Sequence, residues 1–71
     1  QDYGLLFVFP KPGRHGFWMK DMKFPIDIIW LNENREVIGI TKNLEPSSYP
    51  QVFYPPSEIK YALEINTGII K

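Results

Sequence analysis

Ile26-Asp27-Ile28-Ile29-Trp30-Leu31 reads as a β-strand with bulky apolar side chains on both faces and one carboxylate among them. Period-two alternation puts Ile26, Ile28 and Trp30 on one side, and Asp27, Ile29 and Leu31 on the other. Pro25 cannot donate to a ladder and so marks the strand start. Asn32-Glu33-Asn34-Arg35 then makes a turn, and residues 37–42 return as a partner strand with Gly39 inside it. Setting Leu31 against Val37, Trp30 against Ile38 and Ile28 against Ile40 gathers four large apolar groups on one face. The other face then carries Asp27 beside Thr41 and Ile29 beside Gly39. Both faces need cover. A sandwich or closed barrel provides it, and an open hairpin does not.

The remaining segments agree with this class. Gly4-Leu5-Leu6-Phe7-Val8-Phe9 is a run of strand formers ended by Pro10, and Lys11-Pro12-Gly13 is a turn. Gly16-Phe17-Trp18-Met19-Lys20 is a second strand, joined to Ile26 through a loop over residues 21–25. Residues 45–56 form a proline-rich loop of a length that, in compact domains, more often packs as a lid or carries function than lies idle. The last strand covers Ile59–Asn66, with Tyr61, Leu63 and Ile65 inward and Lys60, Ala62 and Glu64 outward. Asn66-Thr67-Gly68 can also open a helix. No segment holds a 3.6-residue period. The expected fold is therefore all-β: a small antiparallel sandwich or barrel, jelly-roll-like, with little helix.

Seventy-one residues hold one domain, here spanning 1–71. The chain opens at Gln1-Asp2-Tyr3, which points to a fragment of a slightly longer domain. Eight basic and eight acidic residues cancel, so a nucleic-acid partner held by bulk charge is not expected. Without cysteine there is no disulfide, no thiolate metal site and no cysteine nucleophile. His15 alone cannot build a multi-histidine metal site, and no glycine-rich phosphate loop is present, so no metal or cofactor is expected. The longest apolar run, Leu5-Leu6-Phe7-Val8-Phe9, is far shorter than the ~20 residues that span a bilayer.

Three stretches carry a family resemblance: Gly4-Leu5-Leu6-Phe7-Val8-Phe9, then Gly16-Phe17-Trp18-Met19-Lys20-Asp21-Met22, then Phe24-Pro25-Ile26-Asp27-Ile28-Ile29-Trp30-Leu31. Together with Tyr61-Ala62-Leu63-Glu64-Ile65-Asn66-Thr67-Gly68, this pattern resembles the uncharacterised family DUF192 over nearly the whole chain. Asp21 stands where that family often has Asn, the proline-rich loop lacks a cysteine found in many relatives, and an opening Arg-Gly-Leu segment is missing. The resemblance implies a jelly-roll-like β fold and an extracytoplasmic setting. It supplies no catalytic mechanism.

Asp27 is the most informative candidate, because burying a carboxylate without partners costs several kcal/mol. It either caps backbone donors and pairs with Lys20, or it lines a pocket. Lys20 becomes its direct neighbour if the second and third strands form a hairpin in the right register. Trp18 and Trp30 are core filler or stacking platforms, and Tyr49, Phe53 and Tyr54 form a lid or an exposed recognition patch. His15 and the loop serines read as inert. Glu64 could join Asp27 as a second carboxylate only if the last strand lies beside the third.

The leading expectation is a binding module for a small polar ligand, a carbohydrate or a peptide. Its site residues would be Trp18, Lys20, Asp27, Tyr49, Phe53 and Tyr54. An enzyme with Asp27 as general base and Lys20 as charge partner is the alternative. A structural domain that pairs with a second copy through its edge strands is a third.

Overall fold

The computed structural model describes residues 3–68. Six strands form in chain order: β1 (Gly4–Gly13), β2 (Phe17–Trp18), β3 (Ile26–Leu31), β4 (Val37–Leu44), β5 (Val52–Phe53) and β6 (Ile59–Asn66). A single 3₁₀ turn at Pro46–Ser48 separates β4 from β5. Four strands make one antiparallel sheet in the order β1-β6-β3-β4, and β2 pairs with β5 as a separate two-stranded ribbon. The fold is all-β and antiparallel. Among the described residues no helix is long and apolar enough to cross a membrane.

The ribbon lies over one face of the sheet, and aromatic side chains hold it there. The Phe17 ring meets Phe7 edge-on at 4.9 Å, Phe9 at 5.9 Å and Trp30 at 5.4 Å. Beneath it, Met19, Ile26, Ile28, Trp30, Leu44, Ile59 and Ala62 form the buried core. Trp30 is fully enclosed, and its indole N–H donates to the Thr41 hydroxyl at 2.8 Å, so the large ring is buried without stranding its polar end. Gly39 sits over that ring, where a Cβ would come within 3.0 Å of Pro56. A small core of this kind rarely supplies more than ~3–5 kcal/mol, about what truncating one buried Trp to Ala removes.

The opposite face of the sheet differs from expectation. Leu6, Val8 and Ile40 are exposed there, because two ribbon strands of two residues each can cover only one side. Of the sandwich and barrel alternatives, the chain takes the sandwich side: a four-stranded sheet under a partial second layer of two strands, with β1 and β4 at the edges of the larger sheet.

Several boundaries and registers also differ. β1 runs on through Pro10 and Pro12 to Gly13, with a register break between Val8 and Gly13. An edge strand has outward positions that need no donor, so proline is tolerated there. In the β3–β4 pair Leu31 does oppose Val37, but an irregularity next to it sets Trp30 against Gly39, Ile29 against Ile40 and Ile28 against Thr41. β6 shows its other face to the core: Ala62 and Glu64 are buried, while Tyr61, Leu63 and Ile65 are half-buried on the uncovered side. Asn66 ends β6 and Thr67-Gly68 form a turn; the residues into which the helix alternative would continue lie outside the described residues.

Asp27 ties the ends of three strands together. Ile26 opposes Leu44 and Ile28 opposes Thr41, which leaves two residues of β4, Lys42 and Asn43, across from Asp27 alone. This is a β-bulge, and Asn43 adopts a left-handed φ of 58° within it, a conformation asparagine tolerates better than most residues. The Asn43 N–H donates to Asp27 Oδ1 at 2.9 Å. The Thr67 hydroxyl, just past β6, donates to the same oxygen at 3.0 Å, and the Thr67 N–H reaches the Pro25 carbonyl at 3.3 Å. Asp27→Ala should cost about 1–3 kcal/mol by stranding those donors, while Asp27→Asn, which keeps an acceptor oxygen, should cost less. Urea unfolding of the two variants checks this, and equal losses would contradict it.

Candidate functional site

A cleft of about 390 Å³ opens between β1 and the ribbon, on the covered side of the sheet. The edge strand brings Leu5, Phe7 and Phe9 to it by alternation, and β6 contributes Glu64 by the same period, since Glu64 opposes Leu5. Phe17, Trp18 and Gly16 come from the ribbon, and Tyr3, Lys20 and Met22 complete the wall. Gly16 allows the ribbon to close up: a Cβ there would lie 2.6 Å from Val52 and 2.8 Å from Tyr54.

Glu64 is the chemically unusual group. The residue is only 7% exposed, and its Oε1 accepts from the Tyr3 hydroxyl at 3.0 Å. Burial pushes its pKa above the ordinary carboxylate value, and the Tyr3 bond opposes that shift without cancelling it. Tyr3 is pushed up as well, by burial first and by its carboxyl neighbour second. The Tyr3 ring is fixed edge-on to Phe24 at 5.2 Å, and its N–H donates to the Asn66 side chain.

Of the residues singled out in the sequence, Trp18 and Lys20 line this cleft. Trp18 is half exposed, the Lys20 ammonium stands 5.8 Å from its ring centroid, and Tyr49 packs beside it with ring centroids 5.1 Å apart. Phe53 pairs with Phe17 and packs against the core, and Tyr54 is exposed. Asp27 is not brought to this group. It is 1% exposed, opposes Ile65, and so points to the other side of the sheet from Glu64, which opposes Ile28. The expected hairpin between the second and third strands does not form, because β2 pairs with β5. β6 does lie beside β3, yet the register sets the two carboxyls on opposite faces, which removes a paired-carboxylate arrangement.

Tyr3, Phe7, Phe9, Phe17 and Met22 were not assigned to a site from the sequence, and Glu64 entered only as a conditional partner of Asp27. The alternation of β6 holds the signal for Glu64, but it is masked by the apolar residues of the uncovered face. His15 stacks on the Phe9 ring at 4.0 Å and takes part in a 3.0 Å hydrogen bond with the Lys11 carbonyl, so it buttresses the cleft from behind. Among the described residues no group of three or more His, Cys, Asp or Glu side chains could hold a metal ion.

Fold and site together define a small antiparallel β domain with an aromatic cleft that ends in a buried carboxyl. The chain belongs to the DUF192 family, uncharacterized ACR, whose model matches residues 1–71. It is similar to the UPF0127 protein PF1050 of Pyrococcus furiosus, 36% identical over 74 residues, an alignment covering 97% of this chain and 58% of that protein. The chain thus spans under two thirds of that relative's length. No solved structure matches.

The raised pKa of Glu64 has a consequence for stability. A carboxyl whose folded-state pKa lies above its unfolded value contributes most below the ordinary carboxylate range, and that contribution is lost as pH rises through the raised value. Unfolding free energies of the wild type and Glu64→Gln, measured against pH, should therefore diverge over that window, with the wild type losing ground. Parallel profiles would contradict a carboxyl buried in this wall.

Proposed function

We propose that this domain is a non-enzymatic binding module whose cleft between β1 and the ribbon takes a small polar ligand, of carbohydrate or peptide type. The observation that carries the reading is the meeting of a half-exposed indole, an ammonium and a buried carboxyl in one cleft of about 390 Å³. Ligand sites of this kind are concave, mostly apolar, and oriented by a few polar groups. Trp18 offers the stacking surface, Lys20 and Glu64 offer opposite charges, and Tyr49 stiffens the outer wall by packing on Trp18. Asp27 has no part in this site, since its Oδ1 already accepts two hydrogen bonds and its side chain faces away. An extracytoplasmic setting belongs to the same reading and rests on the family resemblance.

A panel of mono- and oligosaccharides and short peptides, titrated by NMR, tests the proposal. At least one should shift the Trp18 indole resonance saturably. Trp18→Ala should weaken that ligand about tenfold, or ~1.4 kcal/mol, and the exposed Tyr54→Ala should leave it unchanged. Binding that survives Trp18→Ala undiminished would overturn the assignment of the site.

A further inference from the structure

We propose that the group entering this cleft is an organic ammonium, held by aromatic rings and the Glu64 carboxyl. This deepens the reading just given and rests on it. Phe7, Phe9 and Phe17 make a corner in the cleft wall: Phe7 and Phe9 lie nearly parallel at 6.4 Å, and Phe17 stands perpendicular to both. Aromatic rings carry negative faces that attract cations, most of all where water is excluded. Trp18 already does this for the chain itself, with the Lys20 ammonium 5.8 Å from its centroid.

The inner end of the cleft makes the choice of charge. A carboxyl set in an apolar wall is unfavourable as an anion unless a cation or donors meet it. Tyr3 supplies one hydrogen bond to Oε1. Lys20, the cation of this cleft, stands over Trp18, and a ligand ammonium would bring a countercharge to the Glu64 carboxyl itself. A neutral polyol would supply hydrogen bonds but no countercharge, and an anion could pair with Lys20 of this wall but would meet the carboxylate and the ring faces unfavourably. A cavity of this volume admits an ammonium bearing methyl groups or a short chain. Amino groups of peptides and of amino sugars share this chemistry.

Choline and 3,3-dimethyl-1-butanol have nearly the same shape and differ in charge, so they separate the ammonium from the body that carries it. In the wild type at neutral pH, choline should shift the Trp18 and Phe17 ring resonances saturably and bind about tenfold more tightly than the neutral alcohol, the range cation–π and charge contacts provide. Glu64→Gln, which keeps the shape and Tyr3's acceptor, should shrink that gap to about threefold or less. Equal binding of the two probes by the wild type would overturn the proposal, and needs no variant to fold. A gap unchanged in Glu64→Gln would also overturn it. If neutral sugars bind at Trp18 while choline does not, the cleft remains a ligand site and the ammonium assignment fails. If no probe of either kind perturbs the cleft, both fail.

Discussion

The pairing of β3 with β6 decides what each acidic group in this domain can do. Ile28 opposes Glu64 and Asp27 opposes Ile65, so two carboxyls on adjacent strands project to opposite faces of one sheet. Side chains alternate with a period of two, and a slip of a single residue would exchange their places. On one side Asp27 meets the Asn43 N–H and the Thr67 hydroxyl and serves as a tie between strand ends. On the other, Glu64 is enclosed by aromatic side chains with the Tyr3 hydroxyl at hand. The first carboxyl is consumed by architecture. The second faces the cleft.

The cleft and the core share their parts. Phe17 bridges the ribbon to β1 and to Trp30, and it also lines the cleft. Phe7 and Phe9 do the same from the edge strand. In a domain whose stability rests on so few buried side chains, the rings cannot be optimised for a ligand independently of folding. Gly16 and Gly39 mark where backbone and side chains press closest, one under Val52 and Tyr54, the other between Pro56 and Trp30. The uncovered face of the sheet, with Leu6, Val8 and Ile40 exposed, is the cost of a ribbon too short to wrap the sheet.

Much of this was legible in the residues. β3 and β6 fall where their apolar content and flanking turns put them, and the all-β class follows from the lack of any helical period. Asp27 stood out because a lone carboxylate in such a strand needs partners, though a bulge at Asn43 cannot be read before the register is known. Two features resisted for physical reasons. β2 and β5 are only two residues long, and nothing local announces that Phe17 will pair with Phe53 across thirty-six positions rather than with its neighbour in sequence. In β6 both faces are partly apolar, so alternation alone favoured Tyr61, Leu63 and Ile65 as the inner set. The choice was settled by Trp30, whose bulk needs the small Ala62 opposite it.

The central claim is that Glu64, and not Asp27, is the carboxyl available to a ligand. Carbon-detected NMR of the two side-chain carboxyls during a choline titration measures this directly. The account predicts that the Glu64 carboxyl carbon moves with the same saturation curve as the Trp18 indole, while the Asp27 carbon stays in place. Movement of Asp27 with Glu64 unmoved would contradict it.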